Sequence, residues 1–360
     1  MTVTHNFNAG PAILPASVIA QVREELPNYQ GTGISILESS HRSAQYETIN
    51  QRAIERLKRI LGLGSAHSVC FVQGGASQQF AMLPMNMLQA GRSGGYVLTG
   101  VWAEKAFEEA QRIGSAHIVA SSKSSGYRHI PASTDFAIHS DAAYLHITSN
   151  NTIYGTQWHD LPVHHSVPLV IDASSDIASR SLDVRNVAMI YAGAQKNLGP
   201  SGVTVVIMQQ DFLAQMHEQA PLILRYKTHA QHNSLYNTPP VFSVYMLDLV
   251  LEWVESIGMD ALTAQNRHKA ALIYDAIDQS GGFYRGHAEI NARSMMNVVF
   301  RLPDEQLEKA FLAAASAQQM IGLAGHRSAG GIRASLYNAL PVTSADALAS
   351  FMREFVRTHG

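Results

Sequence analysis

Two residues near the middle of the chain have side chains that can do covalent and electrostatic chemistry. Asp172 closes the apolar run VPLVIDASSD, and Lys196 lies farther on in the small-residue segment YAGAQKNLGPSG. A lysine amine forms a Schiff base with pyridoxal phosphate, and a carboxylate keeps the pyridine nitrogen of that cofactor protonated. Taken singly, Asp172 is more commonly a helix N-cap and Lys196 a solvated loop residue. Because each follows a predicted strand, both are expected at the carboxyl edge of one parallel sheet, and the pair therefore indicates a pyridoxal phosphate enzyme.

A glycine pair upstream could hold the phosphate of such a cofactor. In FVQGGASQQF a predicted strand ends before Gly74-Gly75 and a helix follows, so the free backbone N–H groups of Ala76 and Ser77 would point at an anion. An ordinary strand-to-helix turn explains this segment equally well when it is considered alone. The segment is therefore a candidate phosphate site, and the cofactor lysine predicted at Lys196 is what favours this interpretation.

Five other residues could contact the cofactor. Gln195 can donate an amide hydrogen bond, and Asn237 and Thr238 precede two prolines that hold the chain extended. Trp102 opens a predicted helix directly after a strand, where a flat indole could cover one face of a ring. Thr152 also follows a strand, where its hydroxyl could meet the phenolic oxygen of pyridoxal. A polar loop residue, a domain-linking turn, a core tryptophan and a capping threonine are the alternative interpretations.

A second group of residues is suited to binding anions. Two His-Arg dipeptides, His41-Arg42 and His326-Arg327, are joined by Arg333 in GIRASLYN. Guanidinium groups bind carboxylate and phosphate through a two-pronged fork, and a neighbouring imidazole adds a donor that can carry charge near neutral pH. Surface salt bridges would explain each arginine singly. In a chain with only 15% charged residues, the group favours a substrate with two anionic ends.

The elements that must position these residues form an α/β pattern. Short runs rich in valine and isoleucine alternate with segments of helical period, which is typical of a mostly parallel sheet. The predicted strands are 68–72, 95–100, 116–121, 143–149, 167–172, 188–193 and 203–209. The predicted helices include 102–114, 241–256, 259–280, 304–318 and one from about 343. We expect a large cofactor-binding domain over 16–255 and a smaller α+β domain built from 1–15 and 256–360.

Composition excludes several classes of partner. The chain has 26 lysine and arginine residues and 28 aspartate and glutamate residues, which give a formal charge of -2. No global field therefore attracts nucleic acid or anionic lipid. The single cysteine, Cys70, lies in the apolar run SVCFV and cannot form an internal disulfide. The first residues lack the pattern of a secretory signal, and no apolar run reaches the roughly 20 residues that span a bilayer. We therefore expect a soluble, cytoplasmic protein.

Other functions remain weaker alternatives. The 17 histidines, including His164-His165 and the pair His229 and His232, raise the possibility of a metal site, but histidines without cysteine partners are a weak metal signal. No GxGxxG follows a predicted strand, which disfavours a nicotinamide cofactor. A cysteine desulfurase needs a mobile thiol, whereas Cys70 is expected to be packed. An aminotransferase for small uncharged substrates would have no use for the doubled His-Arg pairs.

The chain resembles the phosphoserine aminotransferase family of fold type I pyridoxal phosphate enzymes nearly from end to end. The motifs that carry the resemblance are NFNAGPAILP (6–15), SSHRS (39–43), GGASQQF (74–80), HITSNNTIYGTQW (146–158), AGAQKNLGPSGVTVVI (192–207), NSLYNTPP (233–240) and GHRSAGGIRASLYN (325–338). The resemblance implies a transamination between O-phospho-L-serine and 2-oxoglutarate in serine biosynthesis, with a second activity on 4-phosphohydroxy-L-threonine in pyridoxal phosphate biosynthesis. Some members of the family carry an arginine where this chain has Ser77, so the anion pocket here must work without it.

The resemblance also implies a role for each candidate residue. Lys196 would bond to the cofactor, Asp172 would face the pyridine nitrogen, Trp102 would stack on the ring and Thr152 would lie near the phenolic oxygen. The cofactor phosphate would be held by Ala76, Ser77 and Gln195, and by Asn237 and Thr238 of a partner subunit, which makes a homodimer with shared active sites the implied unit. Arg333 would take the substrate α-carboxylate. The distal phosphate or γ-carboxylate would be bound by His41, Arg42, His326 and Arg327, with both subunits contributing.

Overall fold

The structure is a computed structural model that describes residues 3–162 and 167–360. These residues form fourteen β-strands and ten α-helices. The strands are β1 (His5–Asn6), β2 (His67–Val72), β3 (Ser93–Leu98), β4 (Ser115–Ser121), β5 (Ala142–Thr148), β6 (Asn150–Asn151), β7 (Thr156–Gln157), β8 (Leu169–Asp172), β9 (Met189–Gly193), β10 (Thr204–Gln209), β11 (Arg285–Gly286), β12 (Asn297–Arg301), β13 (Met320–Ile321) and β14 (Ile332–Ser335). The helices are α1 (Ala16–Glu25), α2 (Ala44–Ile60), α3 (Gly75–Met87), α4 (Val101–Ile113), α5 (Gln210–Gln215), α6 (Tyr226–Gln231), α7 (Val241–Ile257), α8 (Met259–Asp278), α9 (Glu305–Ala317) and α10 (Val342–His359).

A seven-stranded sheet forms the centre of the large lobe. Its strand order is β2-β10-β9-β8-β5-β3-β4, and β10 runs in the direction opposite to the other six strands. Because β2, β3, β5, β8 and β9 all run in one direction, their carboxyl ends share one edge of the sheet. The prediction of a mostly parallel α/β sheet is confirmed.

The strands are apolar on both faces because helices cover both faces. In β8, Ile171 belongs to the buried cluster on one side of the sheet and Val170 to the cluster on the other side. Val205 and Val206 of β10 divide in the same way. Alternate residues of a strand point to opposite faces, so a doubly covered strand needs a continuous apolar run. Cys70 is buried in β2, as expected.

The seven predicted strands of this sheet all form, with ends that differ from the predicted ones by at most two residues. The largest shift is in β3, for which the sequence predicts 95–100 and which lies at Ser93–Leu98. Gly94 and Gly95 are part of the strand. The sheet is crowded at Gly94, because a Cβ there would lie 2.6 Å from Tyr144 Oη. The predicted helices are also found, with α4 one residue earlier and α8 two residues shorter than expected.

The second lobe is α+β. β11, β12 and β14 form an antiparallel sheet, and its apolar face packs with α8, α9 and α10 in a separate buried cluster that includes Phe300, Phe311 and Phe355. The chain start belongs to this lobe through β1, which pairs in parallel with β13. Phe7 is fully buried in the same cluster. These contacts support the division into a 16–255 domain and a domain of 1–15 with 256–360, which stays our proposal.

Within the described residues, no helix has both the length and the apolar character needed to cross a membrane. The same part of the chain contains no group of three or more His, Cys, Asp and Glu side chains arranged to hold a metal ion. His229 and His232 each contact a backbone carbonyl, of Ile223 and Thr228 respectively. His164 and His165 lie outside the described residues.

Candidate active site

A cavity of about 440 Å³ opens at the carboxyl edge of the central sheet. Five strands deliver residues to it or to the segments that line it, because β2, β3, β5, β8 and β9 all end there. The small lobe closes one side with β14 and the segment before it. Open α/β sheets bind ligands at this edge. The predicted site residues that line the cavity are Ala76, Ser77, Trp102, Thr152, Asp172, Gln195, Lys196, His326 and Arg333.

Asp172 is the last residue of β8 and is buried. Its Oδ1 accepts hydrogen bonds from Ser174 N at 3.0 Å and from Ser174 Oγ at 2.6 Å. Ser174 Oγ in turn accepts from Gly193 N at 3.1 Å, so the same serine ties the end of β8 to the end of β9. Burial raises the pKa of Asp172, while the hydrogen bonds from Ser174 and the charge of Lys196 oppose that rise.

Lys196 follows β9 by three residues and faces the cavity. Removal from water lowers the pKa of its amine, and the charge of Arg333 adds to that effect, whereas Asp172 and Asp176 oppose it. Within the described residues, no salt bridge joins Lys196 to a carboxylate. The amine therefore lies near two buried carboxylates without being neutralised by direct contact with either.

The chain start covers the aliphatic part of Lys196. A Cβ added to Gly10 would lie 3.6 Å from Lys196 Cγ, and Ala12 N donates to Gln195 O at 2.8 Å. Tyr337 Oη holds this segment from the other side by donating to Ala9 O at 2.9 Å. The first residues of the chain thus form one wall of the cavity.

The glycine pair leads into α3 as the sequence indicates. Gly74 and Gly75 have φ values of +88° and +64°, a region that side chains other than glycine rarely adopt, and a Cβ on Gly74 would collide with the side chain of Gln78. Ala76 and Ser77 lie in the first turn of α3, where backbone N–H groups have no partner within the helix. This turn has the geometry of a phosphate site at a helix N-terminus.

Trp102 and Thr152 lie together on another side of the cavity. Trp102 is the second residue of α4, and its indole Nε1 donates to Thr152 Oγ1 at 3.1 Å. Gly100 allows the chain to turn there, since a Cβ would lie 2.7 Å from Asn151 Oδ1. The indole is therefore fixed in orientation by a residue that the sequence assigned to the same cofactor.

Arg333 projects from β14 while Ile332 and Ala334 on either side of it are buried, which confirms the predicted alternation. Its Nη1 lies 3.4 Å from Thr152 O, and its buried Nε has no partner within the described residues. Burial lowers the pKa of Arg333, and no carboxylate in the described part of the chain pairs with it. Because Arg333 is half-buried and its Nε is fully removed from water, a ligand that supplies an anion would stabilise it.

His326 is the other substrate candidate at the cavity. Its Nδ1 lies 2.7 Å from Ser328 Oγ, which orients the ring within its loop. Partial burial lowers the pKa of His326, and the neighbouring charges of Arg333 and Arg327 lower it further. The ring is therefore biased toward its neutral form until an anion arrives between it and the arginines.

The segment after β14 fixes the position of Arg333 relative to Lys196. Asn338 N donates to Asn197 Oδ1 at 3.0 Å, directly beside Lys196. Lys269 Nζ donates to the carbonyls of Leu336 at 2.9 Å and Tyr337 at 2.8 Å. The small lobe is thus hydrogen-bonded to the chain at the catalytic lysine candidate.

Five candidate residues do not line this chain's cavity: His41, Arg42, Asn237, Thr238 and Arg327. His41 and Arg42 precede α2, and Arg327 is exposed in the same loop as His326. The segment of Asn237 and Thr238 packs beside the glycine pair, because Gln73 Nε2 donates to Thr238 O at 3.2 Å.

Several lining residues were not identified from the sequence. They are Ala9, Gly10, Thr148, Asn150, Ser174 and Ser175. Thr148 Oγ1 is buried without a hydrogen-bond partner among the described residues, which marks it as a group that a ligand could satisfy. The signal for Ser174 was present in DASSD, since a serine two residues after a strand-end aspartate can cap its carboxylate.

Comparison with known proteins agrees with this geometry. The sequence model of class-V aminotransferases matches residues 4–348. A phosphoserine aminotransferase of Herpetosiphon aurantiacus is 54% identical over 100% of both chains, and one of Geobacillus kaustophilus is 56% identical over 99% of both. The chain belongs to the phosphoserine aminotransferase family of class V.

Solved structures of this family have the same fold. The phosphoserine aminotransferase of Bacillus circulans subsp. alkalophilus superposes with a TM-score of 0.98 at 51% identity, covering 99% of each chain. That of Trichomonas vaginalis, solved with bound pyridoxal phosphate, has a TM-score of 0.91 at 33% identity and covers 98% of this chain and 100% of its own. This class-V aminotransferase accordingly has the fold type I architecture and is a pyridoxal phosphate-dependent enzyme.

The residues present fit that cofactor. The cavity combines a lysine whose pKa is lowered, a buried carboxylate, a helix N-terminus with free N–H groups and an indole fixed by a threonine. The hydroxyl of Thr148, which has no hydrogen-bond partner among the described residues, gives the site a further polar group.

Proposed function

We propose that this aminotransferase moves an amino group between O-phospho-L-serine and 2-oxoglutarate, giving 3-phosphooxypyruvate and L-glutamate, with physiological flow toward phosphoserine in serine biosynthesis. The observation that carries the proposal is the buried Nε of Arg333, which has no hydrogen-bond partner in the described part of the chain and lies in the same cavity as His326 and Lys196. Such a cavity suits an amino acid with a second anionic group. The names of the relatives support this substrate class. The same distal phosphate leads us to propose activity on 4-phosphohydroxy-L-threonine, in pyridoxal phosphate biosynthesis.

The cofactor would be held by residues from several strand ends. We propose that the N–H groups of Ala76 and Ser77, with the amide of Gln195, bind its phosphate, that Trp102 covers one face of its ring and that Thr152 meets its phenolic oxygen. When bound, pyridoxal phosphate supplies an electron sink that makes the Cα proton of an amino acid acidic. The indole of Trp102 is already oriented by Thr152, so the protein does not need to order it on binding.

Lys196 and Asp172 would be the catalytic pair. The lowered pKa of Lys196 keeps a larger share of its amine unprotonated, which is the form that bonds to a carbonyl and can accept a proton from substrate Cα. Lys196 Nζ would hold that proton and deliver it to C4' of the cofactor, the carbon bonded to the other side of the substrate nitrogen. Asp172 would keep the pyridine nitrogen protonated, and the two hydrogen bonds from Ser174 hold its carboxylate in one orientation for that task.

Two anion sites would orient the substrate. Arg333 would bind the α-carboxylate, because its half-buried guanidinium lines the same cavity as Lys196. His326 and Arg327 would bind the distal phosphate, or the γ-carboxylate of glutamate, together with His41 and Arg42. Neutral His326 becomes a better proton acceptor once a phosphate lies beside it, so binding and ring protonation favour each other.

We propose a homodimer in which each cavity is completed by the other chain. His41, Arg42, Asn237 and Thr238 do not line the cavity of their own chain. Exposed apolar side chains flank them: Ile34 is 47% and Leu37 62% exposed before His41. A cluster of exposed apolar residues beside functional polar ones is typical of a subunit interface. We also propose a cytoplasmic location, where the buried thiol of Cys70 stays reduced.

A two-substrate assay tests the reaction. The holoenzyme is given phosphoserine, serine or 4-phosphohydroxythreonine as amino donor and 2-oxoglutarate as acceptor. We expect phosphoserine to be preferred over serine by about 10²-fold or more in kcat/KM, because an anion pocket built for hydrogen bonds disfavours a ligand that leaves it unpaired. Equal kcat/KM for phosphoserine and serine would refute the assignment.

Mixing two variants that are impaired in different ways tests the shared site, at phosphoserine concentrations low enough that the Arg42→Ala variant alone turns over little. In a dimer of one Lys196→Ala chain and one Arg42→Ala chain, one cavity combines an intact lysine with an intact partner arginine. Random reassortment makes half of the dimers mixed, so about one quarter of wild-type activity on phosphoserine should return. If Arg42 serves its own chain, mixing restores nothing beyond the mean of the two variants.

A further inference from the structure

The segment 325–331, here called the anion loop, carries His326 and Arg327. Its base is closed by a hydrogen bond from Gly325 N to Gly331 O at 2.8 Å. Inside it, His326 O accepts from Ala329 N at 2.9 Å and from Gly330 N at 2.8 Å. The backbone of the loop is therefore closed on itself, and its orientation depends on what contacts it from outside.

Arg301, the last residue of β12, contacts the loop on the side of Ala329. Its Nη1 donates to Ala329 O at 2.7 Å. Its Nε forms an ion pair with Glu308 Oε1 at 2.6 Å, and the Glu308 side chain is only 9% exposed. Glu308 Oε1 also accepts from Leu302 N at 3.3 Å, so the carboxylate is itself held in place. One guanidinium thus joins a nearly buried anchor on α9 to the outer turn of the loop.

The two glycines of the loop leave room for this contact. A Cβ on Gly330 would lie 2.8 Å from Arg301 Nη1, and a Cβ on Gly331 would lie 2.5 Å from Arg301 Cδ. Both glycines have positive φ, +67° and +72°. The loop backbone therefore lies directly on the arginine side chain, from its aliphatic stem to its tip.

We propose that Arg301, held by Glu308, is a positioning residue that sets the enzyme's selectivity for substrates with a distal anion. It would do so by fixing the anion loop so that His326 and Arg327 reach the substrate without being ordered on binding. Recognition of phosphate by a guanidinium fork depends on orientation, and immobilising free side chains weakens binding. The proposal rests on the proposed function, because it assumes that the anion loop binds the phosphate of phosphoserine.

The test compares phosphoserine and serine as donors for variants of the holoenzyme. Arg301→Met should raise KM for phosphoserine about tenfold, the cost of ordering two side chains on binding, with kcat within about twofold and kcat/KM for serine little changed. Arg301→Lys keeps a charge beside Glu308 and should recover part of the loss. Arg285→Met is the matched control, because Arg285 pairs with Arg301 in the sheet and donates to the carbonyls of Leu302 and Pro303 without contacting the loop.

If Arg301 only stabilises the fold, its variants will show a different pattern of kinetic changes. Arg301→Met leaves a nearly buried carboxylate without its cation, so the double variant Arg301→Met with Glu308→Gln is measured beside it. A drop in kcat/KM that is equal for both donors, or a loss in Arg285→Met as large as in Arg301→Met, would overturn the positioning role. Unchanged phosphoserine selectivity in the double variant would overturn it as well.

Arg327→Ala separates this proposal from the function on which it rests. If Arg327→Ala keeps full preference for phosphoserine, the assignment of the anion loop is wrong, and the role of Arg301 fails with it. If Arg327→Ala loses the preference while Arg301→Met keeps it, only the positioning role is wrong. Loss of preference in both supports both.

Discussion

The cavity has two halves: a cofactor half around Asp172, Lys196 and Trp102, and a substrate half around Arg333 and His326. They differ in how many of their polar groups find hydrogen-bond partners within one chain. In the cofactor half, Ser174 links Asp172 to Gly193, and Trp102 is held by Thr152. In the substrate half, Arg333 Nε is buried without a partner within the described residues. Preorganised dipoles cost nothing at the moment of reaction, whereas an unpaired cation provides binding energy for a ligand. In the function that we propose, the chain therefore orients the catalytic groups in advance and leaves the binding site for the anion to be completed by the substrate.

This difference also bears on assembly. The residues that contact one another in the cofactor half come from neighbouring strand ends of a single sheet, which one chain can bring together. The distal anion site draws on a loop of the small lobe and, in our proposal, on His41 and Arg42 of a second chain. A complete substrate half then exists only in the dimer, while most of the cofactor half exists in each chain.

The strongest test of the cofactor half is Lys196→Ala. We expect kcat to fall by about 10⁴-fold or more, because in our proposal one substitution removes both the covalent partner of the cofactor and the proton carrier. The absorbance band of the covalently bound cofactor should vanish as well. Lys309→Ala, on the exposed side of α9, is the control and should keep both activity and band. A variant that retains the band would place the covalent bond elsewhere.

Asp172→Asn tests whether the preorganised carboxylate acts by its charge. The amide oxygen can still accept from Ser174, so the packing is kept while the charge is lost. We expect kcat to fall about 10²- to 10³-fold, the range for loss of one preorganised electrostatic partner, while urea unfolding of the apoprotein shows no loss of stability because a desolvated charge has been removed. Asp176→Asn is the matched buried control, since Asp176 is hydrogen-bonded to Ser149 and Gln157. An equal fall in kcat in both variants would mean that the total negative charge of the site matters, rather than the position of Asp172.

Arg333→Lys addresses the substrate half. Lysine keeps the charge but not the fork, so KM should rise about 10- to 100-fold while kcat changes much less, in keeping with the strength of charge-assisted hydrogen bonds. Phosphoserine and serine should be affected equally, because both carry the α-carboxylate. A selective loss of phosphoserine would instead assign Arg333 to the distal anion and merge the two anion sites.

The sequence predicts the cofactor half better than the substrate half for a physical reason. Strand ends are visible in local apolar runs, and parallel strands bring their carboxyl ends to one edge, so local patterns alone place Asp172 and Lys196 together. β1 was not predicted, because two residues that pair with β13 some 300 positions away leave no local pattern. The wall formed by Ala9 and Gly10 was missed for the same reason.

The anion loop shows a second limit of the sequence. The motif GHRSAGGIR identifies the residues that can bind an anion, yet it does not reveal what holds them. Arg301 and Glu308 lie on β12 and α9, and nothing in their own segments distinguishes them from a surface ion pair. Only the contact of Arg301 with Ala329 O and the close approach of Gly330 and Gly331 connect them to the substrate.

The smallest expected effect concerns the core beneath the cofactor half. His146 in β5 is buried, and its Nε2 lies 2.7 Å from Tyr191 Oη. Burial lowers the pKa of His146 to about 3, whereas the unfolded chain has the ordinary value near 6.5. The unfolded state thus gains a proton first as the pH falls, so the stability contributed by His146 is complete above about pH 6.5 and is lost as the pH falls toward 3.

His146→Gln keeps a polar group of similar length and removes this titration. Between pH 7 and pH 5 the wild type should therefore lose about 2 kcal/mol more unfolding free energy than the variant, measured by urea unfolding at fixed chain concentration and cofactor content. His268→Gln, on the exposed face of α8, is the control and should lose as much as the wild type. If His146→Gln follows the wild-type pH dependence, the imidazole takes up its proton in the folded state, and the core under Asp172 and Lys196 is more open to water than its packing indicates.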